Sequence, residues 1–296
     1  MNHKLNLSGV FTPVVTPFEK DEIRLDWLAE NLQKAGETEL KGYLALGSNG
    51  EFMSLSESEQ LDVIKTFVVN KKGKVLMTGT ARESVKETIE FSKKAIELGS
   101  DYISVLSPHY FAKKMNDEVL YRYYSLIADA LTVPVLLYNA PGFASGVMLS
   151  NSLVSRLADH PNIIGMKDSS PSGMNGYLAA VQEKDFHILA GSANFYYSAL
   201  SLGAVGGIIS LANALPELCC DFHEAVVTGN SELAVREHYR IFRLNQAVSG
   251  KYGVAGVKAS MNITGYKGGE PRQPLEAVNA EQSLEMKAFF EKMNVL

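Results

Sequence analysis

Ile163-Ile164-Gly165-Met166-Lys167 is a short apolar run that stops at a lysine and is followed at once by Asp168-Ser169-Ser170. A run of this length, bounded by turn-forming residues, reads as a buried strand. Seven more such runs lie outward from it: residues 10–16, 43–46, 75–79, 102–106 and 133–138 before it, and 188–190 and 206–210 after it. Helical patterns separate them. One covers residues 26–36, with Asp26 as its N-cap. Ser56 with Glu59, and Ser84 with Glu87, have capping-box spacing, and the second of these helices ends near Gly99. Further helices are expected over 116–130, 150–158 and near 196–202.

Strands that alternate with helices imply a parallel sheet. Eight strands are also enough to close one, so the fold class is α/β, a (β/α)8 TIM barrel. An open doubly wound sheet is the runner-up, but no G-x-G-x-x-G follows the first strand. Such barrels take about 250 residues, and the chain has 296. The balance is a C-terminal helical extension. We place the barrel at residues 1–224 and the extension at 225–296, with a Gly/Pro-rich break at 265–274.

Composition excludes several classes. The net charge is −5 and the basic residues are scattered, so there is no footprint for nucleic acid. The first ten residues hold no apolar signal-peptide core. The most apolar stretch, 200–215, is broken by Gly203, Gly206, Gly207, Ser210 and Asn213, which makes it a poor membrane span. The two cysteines, Cys219 and Cys220, are adjacent and read as buried residues of a helix. That usage fits a reducing, cytoplasmic setting. None of His3, His109, His160, His187, His223 and His238 has metal-ligand spacing, so no metal is expected.

In a barrel of this type the chemistry lies where the strands end at their carboxyl side. Of the twenty lysines, Lys167 alone directly ends a strand run. Desolvation there disfavours an ammonium, and a neutral amine can attack a ketone to form an imine, an electron sink for breaking a neighbouring bond. The competing reading is a structural lysine paired with Asp168. Lys258, in Gly256-Val257-Lys258, is a weaker rival, expected on a helix surface. Tyr138 ends the preceding strand and could shuttle protons in the same mouth, or simply pack its ring. Gly47-Ser48-Asn49-Gly50 could offer backbone N–H groups to a carboxylate, or be an ordinary turn. The glycines near Gly191 and over 203–207 leave open a phosphate site of the isomerase or flavin-enzyme kind.

Four segments, in this order and spacing, resemble the dihydrodipicolinate synthase / N-acetylneuraminate lyase family over nearly the whole chain. They are Gly47-Ser48-Asn49-Gly50-Glu51, Tyr138-Asn139-Ala140-Pro141, Ile163-Ile164-Gly165-Met166-Lys167-Asp168-Ser169 and Leu189-Ala190-Gly191-Ser192. The resemblance implies a barrel, usually a homotetramer, that uses pyruvate through a lysine imine with neither metal nor organic cofactor. It makes Lys167 the Schiff-base lysine and Tyr138 the proton shuttle. Ser48 and Asn49 would bind the pyruvate carboxylate, with Ser48 also relaying protons. Tyr110 would stand near a neighbouring subunit's site and complete that relay. Gly191 and Ile208 would line the pocket.

One departure bears on substrate. Synthases of lysine biosynthesis carry an arginine shortly after the Tyr-Asn-x-Pro segment; here Gly142-Phe143-Ala144-Ser145-Gly146 has none. Asn49 also stands where many relatives have threonine. The motifs are most similar to the 4-hydroxy-2-oxoglutarate aldolase branch, in which Ser169 and Ser192 would hold the far part of the substrate. The expected activity is retro-aldol cleavage of a 4-hydroxy-2-oxo acid, of 4-hydroxy-2-oxoglutarate or 2-keto-3-deoxy sugar acid type, to pyruvate and an aldehyde. The alternatives are dihydrodipicolinate synthase, a deoxy-sugar-acid dehydratase, and a non-catalytic 2-oxo-acid-binding protein.

Overall fold

The computed structural model describes residues 6–170 and 174–296. His3 therefore lies outside the described residues. Eight parallel strands close into a barrel: β1 (Gly9–Pro13), β2 (Gly42–Ala45), β3 (Val75–Gly79), β4 (Tyr102–Leu106), β5 (Val135–Asn139), β6 (Ile163–Asp168), β7 (His187–Ala190) and β8 (Gly206–Ile208). β1 pairs with both β2 and β8, which leaves no free edge. The eight expected strands are all present, within a few residues. Strands 1 and 8 end earlier than expected, at Pro13 and Ile208.

The helices between them are α1 (Leu25–Ala35), α2 (Glu57–Asn70), α3 (Val85–Leu98), α4 (Asp117–Ala130), α5 (Asn151–Leu157), α6 (Met174–Ala180), α7 (Tyr196–Ser201) and α8 (Pro216–Val227). Ser56 and Glu59 form a reciprocal capping box on α2. Ser84, Asn116 and Ser150 each accept the N–H three residues on and so open α3, α4 and α5. Gly99, at φ 117°, ends α3. Asp26 is not the N-cap of α1. It lies inside the first turn, and Arg24 holds its carboxylate through Nε (2.9 Å) and Nη2 (2.6 Å). The sequence reading also passed over α6 and a two-residue antiparallel hairpin, Phe18–Glu19 with Glu22–Ile23.

Apolar side chains divide between two cores. Phe11, Leu44, Met77, Tyr102, Leu136, Leu189 and Ile208 fill the barrel itself. The residues that alternate with them, such as Val10, Tyr43, Ala45, Ile103 and Leu137, pack outward against the helices. After α8 come α9 (Ser231–Asn245), α10 (Lys251–Ile263) and α11 (Ala280–Lys292), with a π-helical turn, Gln246–Gly250, between α9 and α10. The expected break at 265–274 falls between α10 and α11. Cys219 and Cys220 are free and buried in α8. No helix among the described residues is long and apolar enough to cross a membrane.

Several strand glycines are dictated by space. A Cβ on Gly42 would lie 2.2 Å from the Val75 carbonyl oxygen, whereas one on Gly142 would meet nothing within 4 Å. Gly42→Ala is therefore expected to cost about 1–3 kcal/mol through overpacking, and Gly142→Ala little. Thermal unfolding of the two variants side by side checks this; equal melting temperatures would contradict the close approach.

Candidate active site

A cavity of about 490 Å³ opens at the carboxyl end of the barrel. Seven of the expected site residues meet there: Ser48, Asn49, Tyr138, Lys167, Ser169, Gly191 and Ser192. Tyr138 and Lys167 are register partners on β5 and β6. The Lys167 ammonium stands 4.4 Å from the centre of the Tyr138 ring, and the Tyr138 hydroxyl is 3.3 Å from Ser48 Oγ. Both side chains are buried, with 5% and 6% of their surface exposed.

Lys167 points inward because of an irregularity in its strand. Ile163 packs outward against the helices, so plain alternation would turn Lys167 outward too and bring Asp168 into the barrel. The β5–β6 pairing slips by one residue between Val135 and Leu136: Val135 faces Ile163, but Leu136 faces Gly165. Ile164 is the extra residue. The slip reverses the faces of everything after it, as bulges near active sites do. Asp168 then faces the helix layer, where its Oδ1 accepts from Asn139 Nδ2 (2.8 Å), Ser170 N (3.1 Å) and Ser170 Oγ (2.8 Å). Burial pushes its carboxyl above the usual carboxylate range despite these bonds. Lys167 and Asp168 therefore do not pair, and among the described residues no other carboxylate pairs with Lys167.

Ser48–Gly50 is a single 3₁₀ turn, and its first N–H groups, at Ser48 and Asn49, lie outside the turn's own bonds. The Asn49 amide donates to Ser210 Oγ at 2.8 Å. Gly191 has to be glycine: a Cβ there would sit 2.0 Å from Ser169 Oγ and 2.6 Å from the Asp168 carbonyl.

Two expectations need correction, those for Ile208 and Lys258. Ile208 does not line the cavity; it fills the barrel core, because it faces the interior with Phe11 and Leu189. Tyr110, expected at a neighbouring subunit's site rather than in this cavity, is 79% exposed and packs edge-on against Phe111 with ring centres 4.9 Å apart. Lys258 is not on a surface. It is wholly buried, 2.5 Å from Glu51 Oε1, and donates to the carbonyls of Thr16 (2.7 Å) and Glu270 (2.8 Å). Burial pulls its ammonium down to about 8, against the upward pull of Glu51.

Sequence reasoning missed part of the wall. The extension lines the cavity with Ser249, Tyr252, Gly253, Val254 and Ala255, and the segment before α11 adds Leu275 and Glu276. The π-helical turn and Gly253, at φ 57°, break the regular helix here and turn these residues toward the barrel mouth. The glycines at 250, 253 and 256 are the signal that could have flagged this stretch. Arg272 straps the segment down. It forks onto Glu59 (2.8 and 3.0 Å), donates to the carbonyls of Ser54 (2.9 Å) and Asp21 (2.7 Å), and gives its own N–H to Glu51 Oε2 (2.9 Å). Among the described residues, no group of three or more His, Cys, Asp or Glu could hold a metal ion.

Lys258→Met should cost about 3–5 kcal/mol, because it leaves Glu51 buried and uncompensated. Lys258→Met/Glu51→Leu should recover much of that loss in urea unfolding; no recovery would mean that the pair is not the cause. The Arg272 fork holds Glu59 down at about 2, from an ordinary 4.5. A lowered carboxyl adds stability above its unfolded value and loses it as pH falls through the folded one. The wild type should therefore lose stability between pH 4.5 and about 2, and Arg272→Met should lose less over that window. Parallel curves would remove Glu59 from the acid response.

The model of the dihydrodipicolinate synthetase family matches residues 6–293. The 4-hydroxy-tetrahydrodipicolinate synthase of Methanosphaerula palustris is 33% identical over 282 residues, which is 93% of this chain and 95% of that protein. Its counterpart in Methanospirillum hungatei is 31% identical over 287 residues, 94% of this chain and 97% of its own. Among solved structures, a prophage protein of the dihydrodipicolinic acid synthase family from E. coli K12, in complex with pyruvate, superposes with a TM-score of 0.89 at 25% identity, covering 98% of this chain and 99% of its own. A match along nearly the full length agrees with the closed barrel and the inward lysine: this chain belongs to the dihydrodipicolinate synthetase family, whose members are pyruvate-dependent class I aldolases.

Proposed function

We propose that the chain cleaves a 4-hydroxy-2-oxo acid to pyruvate and an aldehyde through an imine on Lys167. The observation that carries this reading is Lys167 itself, turned into the cavity at the barrel mouth, paired with no carboxylate among the described residues, and set against a tyrosine whose hydroxyl reaches Ser48. The pyruvate bound to the E. coli prophage protein supports the 2-oxo acid half.

The amine of Lys167 attacks the C2 ketone, and loss of water gives the protonated imine. The N–H groups of Ser48 and Asn49 hold the C1 carboxylate. Tyr138, through Ser48, takes the proton of the C4 hydroxyl. The C3–C4 bond breaks, the aldehyde leaves, and its bonding pair stays as an enamine on Lys167. Protonation at C3 and attack by water at C2 release pyruvate and the free amine. The imine is the only electron sink this needs, so no metal or organic cofactor takes part. Ser169, Gly191 and Ser192 border the far half of the substrate. The exposed Tyr110–Phe111 pair fits a contact in a homotetramer, where Tyr110 would complete the hydroxyl relay of a neighbour. The free cysteines fit a cytoplasmic setting.

The names of the relatives favour a second reading, condensation of pyruvate with aspartate semialdehyde. Against it stands the loop after β5. Phe143 lines the cavity there, and no arginine offers the bidentate pairing a semialdehyde carboxylate needs.

Borohydride added with pyruvate should tag the peptide that contains Lys167; a tag elsewhere, or none, would sink the imine assignment. Tyr138→Phe should still be tagged but should lose about 10²–10⁴-fold in turnover, the usual weight of a positioned acid–base group. Undiminished turnover would remove Tyr138 from the relay. Product formation from aspartate semialdehyde and pyruvate, without pyruvate release from hydroxy-oxo acids, would establish the condensing reading instead.

A further inference from the structure

Building on the aldolase reading above, we propose that the chain takes 2-oxo acids whose far half is an uncharged polyol, and that Glu276 turns away substrates with a second carboxylate there. Among the described residues that line the cavity, Lys167 is the one cation, and imine formation commits it to C2. The Asn49 amide, which is uncharged, already gives one N–H to Ser210 Oγ. The rest of the wall carries the hydroxyl-bearing residues Ser169, Ser192, Ser249 and Tyr252 and, exposed at its edge, Glu276.

The hydrogen-bonding capacity left on these groups suits an alcohol. Ser192 Oγ accepts from Asn194 N at 3.2 Å, which leaves its O–H to donate. Ser249 Oγ donates to Asn245 Oδ1 at 3.0 Å, which leaves its lone pairs to accept. Asn245 is fixed in turn by its donation to Asn194 at 2.9 Å, so the two serines are set by one short network. Glu276 only accepts. A substrate hydroxyl both donates and accepts, and so satisfies all three. A second carboxylate would accept only. It would face Glu276 with like charge and find no guanidinium to neutralise it. Glu276 is exposed, but its backbone is not adrift, because the segment that carries it is strapped to the barrel by Arg272 four residues earlier.

The test is imine trapping, which reads binding at Lys167 without requiring complete turnover. The full-length chain is treated with borohydride across concentrations of 2-keto-3-deoxygluconate, of 4-hydroxy-2-oxoglutarate and of pyruvate, and the tag on Lys167 is quantified by mass. The polyol should reach half-maximal trapping at a concentration about tenfold below that of the dicarboxylate, a modest return for one avoided like-charge contact. Glu276→Gln and Glu276→Ala should both narrow that ratio, chiefly by improving the dicarboxylate. If pyruvate tags Lys167 yet the dicarboxylate traps as readily as the polyol, the specificity is overturned while the aldolase reading stands. An unchanged ratio in both variants overturns the assignment to Glu276. Absence of tagging by pyruvate overturns the aldolase reading and this inference together.

Discussion

The buried pair of Glu51 and Lys258 is the constraint on which the site depends. The Lys258 ammonium forms an ion pair with Glu51 and donates to the carbonyls of Thr16 and Glu270, and Phe18 covers it at 4.3 Å. These partners come from the loop after β1, the turn after β2, and the segment that follows α10. Withdrawing two charges from water is expensive, so such a pair is weak ground for stability and a better device for register. Here it fixes where the Ser48–Gly50 turn stands relative to the extension. Glu51 itself sits in the left-handed region, at φ 52°, between two 3₁₀ turns. Its bonds to Lys258 and to the Arg272 N–H hold that backbone in place.

It follows that the C-terminal helices are not an appendage. They close one side of the cavity with Ser249 and the stretch Tyr252–Ala255, and they carry the Lys258 that anchors the opposite wall. An interrupted helix suits this work better than a regular one. A continuous α-helix would repeat its contacts every turn, whereas the π-helical turn and Gly253 allow a short run of consecutive residues to face the barrel mouth.

The parts of this architecture that were legible in the sequence are those governed by local rules. Strand runs such as Val75–Gly79 and Tyr102–Leu106 are visible because apolar, β-branched residues between turn signals have few other uses. Ser56 and Glu59 mark a helix start because the reciprocal cap is a matter of spacing alone. Asp26 misled because a second local partner, Arg24, captured its carboxylate. What stayed hidden depends on residues far apart in the chain. Nothing near Lys258 announces that its partner lies at Glu51. Ile208 was placed in the pocket by resemblance, and this chain puts it in the barrel core.

The inward lysine shows how much can turn on one residue. Its position at a strand end is readable, but its direction is not, because direction in a strand is a matter of parity. Two acidic or basic neighbours such as Lys167 and Asp168 must face opposite ways, and which of them enters the barrel is decided three residues earlier by the extra residue at Ile164. With the slip, Asp168 finds Asn139 and Ser170 in the helix layer and serves to hold β5 against β6. Lys167 is left in the cavity beside the Tyr138 ring, in an ion pair with no carboxylate among the described residues. The same displacement that parts the lysine from Asp168 thus brings its nitrogen into the cavity, against the ring of Tyr138.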